Sequence, residues 1–145
     1  MSDGEGLSAL ADLEGRWTLN RQITHAGGEV NEFHGHATCT LDGDQLILDE
    51  EGVLSGLPGG ATLKASRRYI MSEEAGHIAV FFHDMRPFHA IPLGVAHPEA
   101  SHDCPPDIYE VSYDFSDLGA WRAIWSVSGP RKSYVMKTRY TRVQS

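Results

Sequence analysis

Residues 16–24 read Arg16-Trp17-Thr18-Leu19-Asn20-Arg21-Gln22-Ile23-Thr24, and their alternation decides the fold. Trp17, Leu19, Arg21 and Ile23 share one parity, while polar residues fill the other. A period of two is the signature of a strand, because successive side chains point to opposite faces of a sheet. The same period returns along the chain and predicts strands at 30–41, 45–54, 61–71, 77–83, 86–93, 107–115, 121–128 and 133–143. Between them lie short links built from Gly, Asp and Pro: HAGGE, LDGDQ, SGLPGGA, EEAG, HDMR and SDLGA. Short turns make each strand pair with the next, and a meander of about nine strands hides its edges best by closing on itself. The expected fold is therefore all-β, an antiparallel up-and-down barrel of about 8 to 10 strands preceded by a short N-terminal helix. The helix is expected at Ser8 to Leu13, with Leu7, Leu10, Ala11 and Glu14 on one side and Gly15 ending it. The stretch GVAHPEASHDCPPD, residues 94–107, reads as one long irregular loop at a barrel mouth.

At 145 residues the chain is one domain, residues 1–145. A hydrophobic fraction of 41% with 22% charged residues is globular composition and excludes disorder. Twelve Lys and Arg against twenty Asp and Glu leave a net charge of -8, which repels nucleic acid. No apolar run approaches the roughly 20 residues that cross a bilayer, so no membrane partner is expected. Cys39 and Cys104 cannot make a disulfide framework, and the acidic start MSDGEGLSALADLEG lacks the basic, apolar pattern of a signal peptide. Those features predict a cytoplasmic protein. A homodimer, the commonest soluble assembly, stays open, since no interface is written in the sequence.

Strand parity also predicts what faces inward. The apolar parity collects Phe33, Gly35, Ala37, Cys39 and Leu41; Leu46, Leu48 and Glu50; Leu63, Ala65, Arg67, Tyr69 and Met71. Further on it takes Tyr109, Val111, Tyr113 and Phe115; Trp121, Ala123, Trp125 and Val127; then Tyr134, Met136, Thr138 and Tyr140. Three charges, Arg21, Glu50 and Arg67, share this apolar and aromatic interior. An isolated buried ion costs several kcal/mol, so each cation needs Glu50, a tyrosine hydroxyl or an anionic ligand. Two readings follow: a self-contained Arg–Glu network that fixes strand register, or a polar group that orients a small molecule in a central cavity.

Gly15-Arg16-Trp17 opens the first strand after the predicted helix, and Arg139 or Arg142 in the last strand could pack across the tryptophan. This pattern resembles the Gly-x-Trp motif of the lipocalin-like (calycin) barrels. More closely, the chain is similar to a bacterial family of unknown function within that fold group. The features that carry the likeness are Leu13-x-Gly15-x-Trp17-x-x-x-Arg21, Glu50-x-Gly52, Arg68-Tyr69, Phe88-His89 and His102-x-Cys104-x-x-Asp107-x-Tyr109. Trp125-x-Val127-x-Gly129-Pro130-Arg131-Lys132 and Tyr140-x-Arg142 complete them. The resemblance implies a barrel and carries no reaction and no catalytic residues.

Eight histidines invite a metal or acid–base reading. The densest group is His97, His102, Asp103, Cys104 and Asp107, whose spacing matches no zinc signature. His89, His102 and Asp107 could instead line the cavity mouth. Gly129-Pro130-Arg131-Lys132 sets two cations at a turn, and because neighbouring residues face opposite ways only one of them can look inward. His34 and His36 fall on the outward parity. Phosphate loops, dinucleotide turns, His-Glu-x-x-His, Cys-x-x-Cys and Gly-x-Ser-x-Gly are all missing, so no cofactor is expected. The reading is a protein that binds a small apolar or amphipathic molecule inside the barrel, with an anionic group on it left open. Its expected contacts are Arg21, Glu50, Arg67, Tyr69, His89, His102, Asp107, Tyr109, Trp125, Arg131 and Tyr134, with no metal site assigned. The alternatives are an enzyme that moves a proton through a His paired with Asp or Tyr, and a heme- or metal-binding barrel.

Overall fold

A computed structural model describes residues 6–144. Ten strands follow one another: β1 (Gly15–His25), β2 (Val30–Asp42), β3 (Gln45–Ser55), β4 (Leu63–Glu74), β5 (His77–Phe82), β6 (Pro87–Pro92), β7 (Glu99–Cys104), β8 (Asp107–Asp114), β9 (Ala120–Ser128) and β10 (Ser133–Arg142). They form one antiparallel sheet in the order β6-β5-β4-β3-β2-β1-β10-β9-β8-β7. Nine expected strands coincide with observed ones to within three residues at each end. The meander holds everywhere except for one long-range pairing, β1 with β10, which rolls the sheet up. β6 and β7 are left as facing edges without a hydrogen-bonded ladder, so the barrel is nearly closed. Pro87 and Pro92 at the ends of β6, and Glu99 and Asp103 on β7, blunt those edges against pairing with other chains.

Two expectations are corrected. The loop predicted over residues 94–107 contains β7, which pairs with β8 from Glu99↔Ser112 to Cys104↔Asp107. β7 is an edge strand of polar, mostly exposed residues, so it offers no apolar stripe to read. The predicted N-terminal helix is a single 3-10 turn, Leu10–Leu13. Leu7, Leu10 and Leu13 lie three apart, which matches the three residues per turn of a 3-10 helix rather than 3.6. All three are buried and plug one end of the barrel. There Trp17, fully buried, donates from Nε1 to the Leu13 carbonyl at 3.0 Å. The guanidinium of Arg142 lies 4.2 Å from the Trp17 ring centroid and donates to the carbonyls of Asp12 and Glu14, both at 2.9 Å. Of the two arginines considered, Arg142 is the one that closes this end.

The inward parity is as the alternation implies: Trp17, Leu19, Phe33, Ala37, Cys39, Leu46, Leu48, Met71, Val111, Tyr113, Phe115, Trp121, Ala123, Val127 and Tyr140 are all buried. Leu41, Leu63, Ala65 and Arg67 are exceptions, all exposed: Leu41 stands near a strand end, and the other three lie on the part of β4 that β5 does not cover. β5 pairs with β4 only from Tyr69 onward, so Leu63 to Arg68 have β3 on one side and an open edge on the other. Between β2 and β3 the backbones approach closely at Gly35↔Gly52. A Cβ on Gly35 would strike the Glu51 carbonyl and come within 2.6 Å of Gly52 Cα, so the pair is glycine for want of space. Among the described residues no helix is long and apolar enough to cross a membrane.

Candidate functional site

The interior is not filled by its own side chains. A cavity of about 370 Å³ lies among β1, β3–β6 and β8–β10, within the size range of small-molecule sites. Its closed end is formed by Leu13, Phe115 and Trp121, and Tyr109, Lys132 and Tyr134 stand at the opposite mouth beside Arg67, Arg68 and His83. One wall is a run of near-parallel rings. Phe88 stacks on Trp125 at 5.0 Å with 7° between planes, on Phe82 at 4.3 Å and 26°, and on Tyr69 at 5.9 Å and 16°. A register shift between Val80 and Phe81 opposite β6 brings the neighbours Phe88 and His89 both to the cavity, where simple alternation would bring one.

The polar side is a network across three strands, β1, β3 and β10. Arg21 Nη2 donates to both oxygens of Glu50 at 3.0 and 3.2 Å, and Nε donates to the Thr138 hydroxyl at 2.8 Å. The Tyr140 hydroxyl donates to Glu50 Oε2 and lies 3.3 Å from Arg21 Nη2. Burial works against the Arg21 charge, but Tyr140 and Glu50 outweigh it and hold its pKa above the usual value. Tyr140, fully enclosed, is pushed far above the ordinary phenol by burial and by the Glu50 carboxylate, so its proton stays on. Arg21 and Glu50 thus satisfy each other, as in the first of the two readings.

Arg67 is different. Its polar partner is the Tyr69 hydroxyl at 3.3 Å, with no carboxylate in salt-bridge range among the described residues. It borders the main cavity, a cleft of about 160 Å³ beside Phe33, Leu54 and Met136, and an outer groove between β3 and β4. The other mouth cations are paired: Arg68 grips Asp49 at 2.7 and 3.0 Å, and Lys132 lies 3.6 Å from Asp107. Four of the twelve Lys and Arg line the cavity, against one of the twenty Asp and Glu. The cavity therefore reverses the sign of an acidic protein.

The histidines separate. His89 Nε2 is 2.8 Å from the Tyr113 hydroxyl, and its Nδ1 is buried without a partner. Burial first, and His102 second, lower its pKa to about 4. Burial raises the Tyr113 phenol, so both members of this pair stay neutral near pH 7. A His that weak as a base and a Tyr that weak as an acid position each other rather than exchange protons. His102 sits edge-on to Phe88 and Phe82 at 5.3 and 5.8 Å and covers the aromatic wall at the β6–β7 seam from behind. The His–Asp pair considered from sequence is not formed, since Asp107 turns to Lys132. His97 goes to Asp114 at 3.5 Å, and among the described residues no three His, Cys, Asp or Glu side chains converge as a metal site.

Of the eleven expected contacts, Arg21, Glu50, Arg67, Tyr69, His89, Tyr109, Trp125 and Tyr134 line the cavity, whereas His102, Asp107 and Arg131 do not. Lys132 rather than Arg131 is the turn cation at the cavity. Phe82, Phe88, Arg68, His83 and Met136 also line it and were not expected. Phe82 shares the parity of Ile78 and Val80, so a parity reading of β5 would have found it. Phe88 rests on the bulge and leaves no such trace.

A family model described as a family of unknown function (DUF6314) matches residues 13–142. Among solved structures, an S-type phycobiliprotein lyase from Guillardia theta superposes with a TM-score of 0.66 at 10% identity, over 92% of this chain and 90% of that one. A protein of unknown function from the DUF3598 family of Nostoc punctiforme superposes at 0.65 and 10% identity over 97% of this chain. The chain spans about half the length of that second protein, 51%. Both neighbours are lipocalin-like barrels, and at such identities the likeness concerns the fold alone. No curated protein matches the sequence.

Proposed function

Because the chain belongs to the family of unknown function DUF6314, its role must be read from its own interior, and we propose that it binds one small amphipathic molecule inside the barrel. The observation that carries this reading is a cavity walled by stacked Phe82, Phe88 and Trp125 on one side and by cations in excess of carboxylates on the other. An apolar body would displace water from the ring wall at about 25 cal/mol per Å² of apolar surface buried. The polar end, anionic, would face the mouth. Trp17 belongs to the plug beneath this site, not to its wall.

The test is a titration with N-phenyl-1-naphthylamine, a neutral dye that brightens in apolar surroundings. Saturable brightening at one dye per chain is expected. Ala123, buried on β9 between Trp121 and Trp125, lines the cavity, so Ala123→Phe fills it and should weaken the dye at least about tenfold. Circular dichroism and a thermal melt show that the variant folds. Absence of saturable brightening, or equal brightening in a folded Ala123→Phe, would overturn the reading.

A further inference from the structure

We propose that Arg67 determines specificity by holding a single carboxylate of the ligand at the cavity mouth, so that the ligand class is a flat monocarboxylate; this rests on the cavity being the binding site. Arg21 is spent on Glu50 and Thr138, Arg68 on Asp49, and Lys132 on Asp107. Each cavity-lining cation is thereby neutralised except Arg67, so one unit of positive charge is left over. A guanidinium carries five N–H donors in a planar fork, and Arg67 uses one of them, on Tyr69. The remaining donors suit the two parallel oxygens of a carboxylate, and among the described residues no second unpaired cation lines the cavity for a dianion.

Geometry adds the shape of the ligand. Tyr69, whose hydroxyl accepts the Arg67 hydrogen bond, also supplies the last ring of the stack that runs through Phe88 to Trp125. The charge therefore stands at one end of the aromatic wall. A planar apolar body laid along Phe88 and Trp125 would present its terminal carboxylate to Arg67, and the neighbouring 160 Å³ cleft beside Phe33 gives the arginine room to adjust. Arg21 and Glu50, which share this part of the interior, act as the fixed support behind it.

Displacement of N-phenyl-1-naphthylamine by three naphthalene probes tests the assignment: 2-naphthoate, 2-naphthylmethanol and 2,6-naphthalenedicarboxylate. On the unaltered protein 2-naphthoate should bind about 10- to 100-fold more tightly than the alcohol, the range of a charge-assisted hydrogen bond, and more tightly than the dicarboxylate. In Arg67→Gln the preference for naphthoate should vanish while the alcohol and the dye bind within about threefold of before. Arg67→Lys should keep part of the preference, and its thermal melt should match the parent. Equal binding of acid and alcohol to the unaltered protein, or a preference that survives Arg67→Gln, overturns this inference and leaves the cavity reading standing. Failure of the dye and all three probes to bind overturns both.

Discussion

Glu50 is 3% exposed, and its carboxylate takes hydrogen bonds from Arg21 and Tyr140. Glu50→Ala would leave a guanidinium whose side chain is 13% exposed without its carboxylate, together with a Tyr140 O–H that has lost its acceptor. Removing one member of a buried ion pair costs about 3 to 5 kcal/mol, because the surviving charge keeps its desolvation penalty and loses its partner. Against a total stability of about 5 to 15 kcal/mol, such a loss brings the barrel close to unfolding at room temperature. Removing both charges should behave otherwise: Arg21→Met with Glu50→Leu replaces the pair by apolar groups of similar volume, and should be within about 1 kcal/mol of the parent. The assay is urea unfolding followed by the fluorescence of Trp17, Trp121 and Trp125. It runs on the parent, the two singles and the double, so that the coupling is read directly. A loss under about 1 kcal/mol in Glu50→Ala, or a double variant worse than either single, would refute the view that the two groups satisfy one another in a dry interior.

Further outcomes follow from the same geometry. His89 has a folded pKa of about 4 against an unfolded 6.5, so the unfolded chain takes up the proton first. Its contribution is fully present above pH 6.5 and disappears as pH falls to about 4. About 3 kcal/mol is at stake, and His89→Gln should flatten that part of a pH series of urea midpoints. Arg142→Ala removes the cation over Trp17 and donors to two backbone carbonyls, and should cost about 2 kcal/mol in the same assay, with Arg142→Lys recovering part. Gly35→Ala should cost about 3 kcal/mol or abolish soluble expression, because its methyl has no room against Glu51 and Gly52; a parent-like melting temperature would contradict the close approach of β2 and β3.

What could be read in the sequence was whatever obeys a period. Nine strands, the meander and the inward parity of Trp17, Arg21, Glu50, Tyr113, Trp125 and Tyr140 all follow from alternation and short turns. The N-terminal turn was misjudged because Leu7, Leu10 and Leu13 suit a 3-10 spacing nearly as well as one face of an α-helix. β7 was hidden because an edge strand facing solvent needs no apolar stripe. In the site, parity brought Arg67 inward but could not say that Arg21 alone would claim Glu50, since that depends on three-dimensional reach across the barrel. Phe88 and His89 both meet the cavity through a bulge, a departure from alternation that leaves no sign in composition. His102 and Asp107 lie close in sequence yet part company, His102 to the aromatic seam and Asp107 to Lys132 across the turn.

The central claim is that the space beneath the mouth receives a small molecule along the Phe88–Trp125 wall. Crystals of the protein soaked with 6-bromo-2-naphthoate and measured at the bromine absorption edge test it most directly. An anomalous peak inside the barrel beside Trp125, with the carboxylate turned toward Arg67, is the predicted result. A cavity without bromine in soaked crystals, or a peak confined to the outer surface, would contradict the account.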